Sequence, residues 1–225
     1  MNYPNVARAV FLSRPNRFIA RVELDGRTEA VHVKNTGRCR ELLVPGAEVT
    51  LTEPGTPGRR TRYDLITVRK GNGVLFNLDS QAPNRVVREW LDTLECDRIL
   101  PEYQYGASRL DFCMEKGGRQ YLMEVKGCTL EVDGIGYFPD APTERGTRHL
   151  RELTEAIKAG YRCAIAFVIQ MDDVTEVRAN RATDPAFADA LEEAQRTGVR
   201  TLFLPCHVEA DSIAVVRSLC PDPFA

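Results

Sequence analysis

The sequence lacks long hydrophobic runs, and its 225 residues include only five lysines. No stretch approaches the roughly 18 consecutive apolar residues that a membrane-spanning helix needs. The first residues lack the apolar segment and the small-residue cleavage site of a secretory signal peptide. We therefore expect a protein that does not enter a membrane and that resides in the cytoplasm.

Paired cysteines are also missing. The seven cysteines show neither Cys-x-x-Cys pairs nor the spacing of a zinc site, and their number is odd. This argues against a disulfide framework and against structural zinc, and it favours reduced thiols. Cys113, Cys128 and Cys163 lie in apolar strand patterns, so we predict that they are small core residues rather than nucleophiles.

A strong charge of one sign is absent as well, since the formal net charge is −2. The charge is unevenly divided, however. Residues 1–81 contain 13 Lys and Arg against 8 Asp and Glu, a balance of +5, whereas residues 82–225 contain 17 against 24, a balance of −7. Such an asymmetry can mark a basic module for a polyanion joined to an acidic module, but the charge by itself favours a chance difference between solvated surfaces.

Residues 1–81 are predicted to form a small β-barrel domain. Asp25-Gly26 is a strong hairpin-turn dipeptide between two strand patterns. The predicted strands cover residues 18–24, 27–33, 47–53, 63–69 and 73–79. Five short strands in this length fit an OB-like barrel, with a small SH3-like barrel as the alternative.

Residues 82–225 are predicted to form a second domain of the α/β class, a mixed (α+β) sheet flanked by helices. Three helices are predicted from apolar residues at helical spacing, with Asp184-Pro185 beginning the third and Gly198 ending it. Predicted strands cover about 98–105, 109–115, 119–127, 163–171, 200–209 and 212–218. The order is helix, three-stranded meander, helix, strand, helix, strand.

Two acids and a lysine lie inside neighbouring strands of this domain. Strand periodicity places Leu110 and Phe112 on one face and Asp111 on the other, while Glu124 and Lys126 share a face. If the strands pair around the turn between them, Asp111 and Glu124 lie close together. Two carboxylates are suitable ligands for Mg²⁺ or Mn²⁺, and a nearby lysine can orient or deprotonate a water and stabilise charge at phosphorus.

The pattern Asp, then Glu-x-Lys on the next strand, resembles the PD-(D/E)XK nuclease superfamily, whose core has the element order predicted here. In that superfamily the first helix often supplies a further metal ligand, and Glu89 occupies this place; the alternative is a solvated acid on a polar helix face. For the strand charges the alternative is a pair of ordinary surface ion pairs, Glu124 with Lys126 or Asp111 with Arg109.

Several segments together resemble one family, the sugar fermentation stimulation proteins. They are HVKNTGRCRELLVPG (32–46), SRLDF (108–112), YLMEVKGCTL (121–130), GYFPDAPTERGTRHLREL (136–153) and EAQRTGV (193–199). The resemblance implies an OB-like barrel followed by a nuclease-like domain, DNA binding, and regulation of sugar metabolism genes, notably those for maltose.

The resemblance also implies site residues and shows two departures. It assigns the metal and catalytic positions to Asp111, Glu124 and Lys126, and it assigns a characteristic acid, arginine and histidine to Asp140, Arg145 and His149. Where this chain has Lys34 the family usually has proline. Where this chain has Gly127 and Cys128 the family usually has serine and a small apolar residue.

We therefore expect a DNA-binding protein with a Mg²⁺- or Mn²⁺-dependent nuclease site, with DNA favoured over RNA. The side chains predicted to contact nucleic acid are Lys34, Asn35, Arg38, Arg59, Arg60, Arg109, Arg145 and His149. One alternative is a regulator that binds DNA without cutting it. Another is a metal-dependent hydrolase of a small phosphorylated sugar, which the positive barrel disfavours. The sequence does not indicate an oligomeric state.

Overall fold

A computed structural model describes residues 1–35, 37–55 and 57–224. Within these ranges the chain forms fifteen strands and three α-helices, arranged as a barrel, a larger mixed sheet and a small three-stranded sheet. No helix in these ranges is long and apolar enough to cross a membrane. Thr36, part of the segment 32–46 that resembles the family, lies outside the described residues.

The N-terminal unit is a closed barrel. Its strands are β1 (Val6–Asn16), β2 (Ile19–Leu24), β3 (Arg27–Val33), β4 (Glu48–Thr52) and β5 (Asp64–Arg69). β1 pairs with both β2 and β4, β2 pairs with β3, and β4 pairs with β5, all antiparallel. β3 and β5 then close the ring in parallel, at His32 opposite Asp64 and Val33 opposite Leu65. This confirms the predicted OB-like barrel.

The set of strands that forms the barrel differs from the predicted set. β1 was not among the predicted strands, and the predicted strand at 73–79 is β6 (Leu75–Asn77), which extends β5 outside the closed ring. β1 buries Ala9 and Phe11 but exposes Val6 and Val10. Because apolar residues lie on both faces of β1, its sequence lacks the alternation that indicates a half-buried strand.

The C-terminal unit is a mixed sheet flanked by helices, as predicted. Its elements are α1 (Ala82–Leu91), β7 (Arg98–Tyr105), β8 (Ser108–Lys116), β9 (Arg119–Cys128), β10 (Leu130–Val132), β11 (Ile135–Phe138), α2 (Glu144–Lys158), β12 (Arg162–Ile169), β13 (Val177–Ala179), α3 (Pro185–Thr197), β14 (Arg200–Val208) and β15 (Ile213–Val215). The main sheet has the order β7-β8-β9-β12-β14-β15, and β9, β12 and β14 run parallel. The short strands β10, β11 and β13, which were not predicted, form a separate sheet.

Helices cover both faces of this sheet. Trp90 of α1 packs in one hydrophobic cluster with Met123, and Leu153 of α2 packs in the other cluster with Leu122. The two residues of β9 are adjacent in the chain and point to opposite faces. Charged side chains on β8 and β9 are therefore enclosed by packed helices, so they need polar partners.

Polar contacts join the barrel to the second unit. The Lys70 ammonium lies 2.5 Å from a carboxylate oxygen of Glu131. The backbone N–H of Cys39 donates to Asp140 at 3.0 Å, and the amide of Gln170 donates to the carbonyl of Asn77 at 3.0 Å. These contacts join the barrel and β6 to β10, to the loop before α2 and to the residue that follows β12.

Candidate metal and nucleic-acid site

The regular pairing of β8 with β9 ends where the acids lie. Paired residues run from Lys116 opposite Arg119 to Phe112 opposite Met123. Asp111, which precedes Phe112 in β8, lies beyond this paired region. Its carboxylate accepts a hydrogen bond from the backbone N–H of Val125 at 2.8 Å. This contact places the carboxylate beside the residue that follows Glu124.

Asp111 is held from two sides in a charged environment. Its other carboxylate oxygen accepts a hydrogen bond from the side-chain amide of Asn84, in the first turn of α1, at 2.7 Å. Burial and the nearby charge of Glu124 raise the pKa of Asp111. Two carboxylates in such proximity are best compensated by a cation between them.

The pleat of β8 is interrupted at Asp111, which corrects one prediction. Leu110 and Phe112 do not share a face, because Leu110 packs in the cluster beneath α2 and Phe112 in the cluster beneath α1. On the neighbouring strand β7, Pro101 pairs with Phe112 and Tyr103 pairs with Leu110. Glu102, which lies between these two, has a φ of +54°, in the left-handed region. Such an irregularity shifts the alternation of faces, and strand periodicity does not reveal it.

Glu124 is almost fully enclosed, and its two oxygens differ. Oε1 accepts hydrogen bonds from Lys126 Nζ and from His149 Nδ1, each at 2.5 Å. Oε2 is buried and has no hydrogen-bond partner among the described residues. Burial opposes ionisation, but the hydrogen bond from His149 and the charge of Lys126 outweigh it and lower the pKa of Glu124. An ionised carboxylate with one unpaired buried oxygen lacks a positive partner on that side.

These residues fit a hard divalent cation. Mg²⁺ prefers oxygen ligands and usually takes one or two carboxylates from the protein, with water or substrate oxygens completing its shell. Asp111 and Glu124 supply two carboxylates, one of them with an unpaired oxygen. Among the described residues, no three His, Cys, Asp or Glu side chains are grouped to hold a metal. Further ligands would therefore come from backbone, water or substrate.

The predicted third carboxylate lies outside this group. Glu89 is half-exposed and forms an ion pair with the amino group of Met1 at 2.9 Å. It borders a cavity of about 380 Å³ that Asp111 and Asn84 also border. Its role as a third metal ligand stays a prediction.

His149 is not placed to contact nucleic acid, which corrects its predicted role. It is 1% exposed, and its Nε2 lies 3.4 Å from Nε of Arg145. A guanidinium can only donate, so Nε2 accepts and the ring proton lies on Nδ1, which donates to Glu124. His149 therefore orients the Glu124 carboxylate. The spacing of Arg145 and His149, four residues apart on one helix, is a signal of this contact that the sequence contains.

Two of the predicted phosphate-binding cations are engaged inside the barrel. Lys34 lies 3.4 Å from Asp64 and 3.1 Å from Asp79, and Arg59 also forms an ion pair with Asp64. Both acids are fully buried. Because both cations compensate the charge of buried acids, Lys34 and Arg59 are structural residues in this arrangement.

The remaining residues predicted to contact nucleic acid differ in how exposed they are. Arg109 is exposed and lies 3.4 Å from Glu102. Asn35 is buried, and its side-chain oxygen accepts from the Gly37 N–H at 2.7 Å, which shapes the turn. Arg38 and Arg60 are exposed and form no ion pair with the described residues. Together with the exposed Arg145, these two guanidinium groups are the best placed of the predicted set to meet phosphates.

A cavity of about 290 Å³ lies between the two units, next to the strand that carries Lys126. Its lining includes Asn35, Gly37, Pro83, Gly127, Asp140 and Gln170. A Cβ at Gly127 would lie 2.3 Å from Oε1 of Gln170 and 2.8 Å from Pro83. A side chain larger than hydrogen at this position would therefore require Gln170 or Pro83 to shift.

The structure thus defines a class of protein in which a closed OB-like barrel is joined to a mixed α/β sheet with a buried carboxylate pair beside a lysine. A family model described as the sugar fermentation stimulation protein RE domain matches residues 81–212, and one described as the SfsA N-terminal OB domain matches residues 12–76. The chain belongs to the sugar fermentation stimulation protein family.

Relatives match over almost the whole chain. A sugar fermentation stimulation protein homolog from Desulfitobacterium hafniense is 53% identical over 216 residues, covering 95% of this chain and 94% of the relative. One from Ruminiclostridium cellulolyticum is 47% identical over 223 residues, covering 97% and 98%. Among solved structures, Pyrococcus furiosus SfsA in complex with Ca²⁺ matches with a TM-score of 0.84 and 30% identity, covering 96% of this chain and 95% of that one.

Proposed function

We propose that this protein binds nucleic acid, DNA in the first place, and hydrolyses its phosphodiester bonds with Mg²⁺ or Mn²⁺. The observation that carries the proposal is the unpaired, buried Oε2 of Glu124, beside Asp111 and Lys126. The solved structure of the Pyrococcus furiosus relative, described as a complex with Ca²⁺, adds support for a hard divalent cation.

Each residue of the site has a role in this proposal. Asp111 and Glu124 would hold the ion, which when bound neutralises phosphate charge and makes water a stronger nucleophile. Asn84 and the N–H of Val125 orient Asp111 through their hydrogen bonds. His149 does the same for Glu124.

Lys126 acts on the substrate. Its Nζ is paired with Glu124 Oε1 at the edge of the carboxylate pair. A cation there orients an attacking water through the water's oxygen and stabilises the negative charge that develops on the phosphoryl oxygens. Lysine suits this compact position better than arginine, although 25 of the 30 basic residues are arginine.

The test uses Lys126→Ala and purified protein with Mg²⁺ or Mn²⁺ on single-stranded, duplex and branched DNA and on RNA. We expect the wild type to cut at least one substrate and the variant to lose about 100-fold or more in rate, because a developing charge is no longer stabilised. Binding to the same substrates is expected to persist, since exposed arginines supply the phosphate contacts.

Lys158→Ala is the matched control, because Lys158 is an exposed lysine paired with Glu155 on α2. It should cut like the wild type. Thermal unfolding of both variants checks that the fold is kept. Undiminished cutting by Lys126→Ala contradicts the proposed role of this lysine.

A second function has its own support. The relatives carry the name sugar fermentation stimulation protein homolog, which connects the family with sugar metabolism. The second function is therefore that of a DNA-binding regulator of sugar metabolism, including that of maltose, that does not cut. For this function we expect sequence-selective binding to duplex DNA. Failure of the wild type to cut any of the four substrates with either metal would favour the regulator.

A further inference from the structure

The turn between β1 and β2 exposes an aromatic ring next to a cation. Phe18 is 45% exposed, and the guanidinium carbon of Arg17 lies 4.9 Å from the centre of its ring. An exposed aromatic side chain with an adjacent arginine is a favourable pair for nucleic acid, because a base stacks on the ring while the cation meets the phosphate.

A half-buried arginine holds this turn against a second basic segment. The guanidinium of Arg14 donates hydrogen bonds of 2.7–2.9 Å to the carbonyls of Arg17, Asn35, Gly37 and Arg38. One side chain thereby bridges the β1–β2 turn and residues 35, 37 and 38. Because one guanidinium binds the carbonyls of both Arg17 and Arg38, the backbones of these two residues lie close together. We call Arg17, Phe18 and Arg38 the stacking surface.

The stacking surface continues into the cavity between the two units. Asn35 and Gly37, which Arg14 holds, line that cavity of about 290 Å³, and Gly127 lines it from β9. The stacking surface therefore adjoins the junction of the barrel with the second unit.

We propose that the stacking surface, Arg17, Phe18 and Arg38, binds single-stranded nucleic acid. Bases within a duplex are stacked on each other, so an exposed ring can stack only with a base that is unpaired or displaced. The two guanidinium groups add charge that complements the phosphates. The proposal rests on the proposed function, since it names the form of substrate that reaches the same site.

The test measures binding in EDTA, without cutting, by fluorescence anisotropy of labelled oligo-dT, oligo-rU and a matched duplex. For Phe18→Ala we expect a loss of about 5- to 100-fold in affinity for single strands, because one base loses its stacking partner. The duplex should bind with little change. The two homopolymers distinguish a DNA from an RNA strand as the preferred occupant.

Two variants serve as controls. Phe18→Trp keeps a flat ring and should bind single strands within about 2-fold of the wild type. Leu219→Ala removes another exposed hydrophobic side chain, 55% exposed, outside the surface and should not change binding. Arg38→Ala should lower the slope of log affinity against log salt by about one.

If Phe18→Ala binds single strands as tightly as the wild type does, the proposal is overturned. An equal loss of affinity for duplex and for single strand overturns it too. The two proposals can also fail separately. If single-strand binding depends on Phe18 but no substrate is cut, the hydrolysis fails and the stacking surface stands. If the wild type cuts and Phe18→Ala binds and cuts equally well, the surface fails and the hydrolysis stands.

Discussion

At the scale of single residues, the two oxygens of Glu124 lie in different surroundings. Oε1 accepts from Lys126 and His149, whereas Oε2 is buried without a described partner. The carboxylate therefore has a set orientation, with one oxygen held by the protein and the other directed elsewhere. Hydrogen bonds of this kind, made by the neighbours of a metal ligand, orient the ligand and tune its affinity.

The role of His149 in holding that orientation gives a residue-scale prediction. His149→Leu removes the donor to Glu124, and we expect Ca²⁺ or Mn²⁺ affinity to fall about 10- to 100-fold, measured by titration calorimetry. His149→Asn keeps a side-chain N–H near the place of Nδ1, so it should restore most of the affinity. A merely structural role would not distinguish the two variants in this way once their thermal stabilities are compared.

A pair of arginines on α2 provides the control. Arg145 donates to Nε2 of His149, while Arg148 is exposed and makes no hydrogen bond or ion pair with the described residues. Arg145→Ala should weaken metal binding, and Arg148→Ala should leave it unchanged. Equal affinities for wild type and His149→Leu would show that His149 does not orient a metal ligand.

At the scale of elements, the closure of the barrel coincides with a buried charge cluster. Asp64 is the first residue of β5, stands opposite His32 of β3 and is fully buried. It forms ion pairs with Lys34 and Arg59 and lies 3.2 Å from His32. Burial opposes its ionisation, but the hydrogen bond from Arg59 and the charge of Lys34 outweigh it and lower the pKa of Asp64.

The lowered pKa predicts how the barrel responds to acid. An acid with a lower pKa in the folded state contributes stability above its unfolded pKa of about 3.9, and this stability is lost as the pH falls through the folded pKa. Asp64→Asn should therefore be less stable than the wild type by about 3 kcal/mol at pH 7, since Arg59 loses its carboxylate partner and Lys34 keeps only Asp79. The difference should shrink as the pH falls from 5 toward 2, measured by denaturant unfolding.

Asp25→Asn is the matched control for this prediction. Asp25 is an exposed acid in the β2–β3 turn with a φ of +50°, a conformation that asparagine adopts readily. Its stability should stay close to that of the wild type across the same pH range. If the difference in stability between wild type and Asp64→Asn stays constant from pH 7 to pH 2, the pKa of Asp64 is not lowered by folding.

At the scale of the whole molecule, the two units meet through polar side chains close to the site. The Cys39 N–H donates to Asp140, and Gln170 donates to the carbonyls of Asn77 and Asp79. The Lys70–Glu131 pair adds a charged contact. Since barrel and sheet share this junction, we expect a ligand of the site to stabilise the entire chain.

Metal addition and removal test this coupling. A metal that binds the folded protein at 100 times its Kd adds about 2.7 kcal/mol of stability, so Ca²⁺ or Mn²⁺ should raise the Tm and EDTA should reverse the rise. Asp111→Asn should abolish most of the shift, because it removes one carboxylate. Asp92→Asn, a change of an exposed acid on α1, should keep the shift. If the metal still raises the Tm of Asp111→Asn by the full amount, the metal binds at a site that does not include Asp111.

Much of the fold and the centre of the site follow from the sequence, because local spacing encodes them. Asp184 caps α3 through a hydrogen bond to Phe187, and Gly198 ends the helix with a φ of +110°. Both signals lie within a few residues of the structure they specify. Glu124 and Lys126 are two residues apart on one strand, and the short hairpin brings Asp111 to them.

The tertiary structure decided which charged side chains are exposed and which form ion pairs or hydrogen bonds within the protein. Lys34 meets Asp64 and Asp79, which are 30 and 45 positions away, and His149 meets Glu124 across 25 positions. The exposure of Phe18 likewise depends on how β1 enters the barrel. The sequence by itself determined the elements and the residue types of the site, because these depend on near neighbours. Only packing decided the partners of each charge, because distant segments supply them.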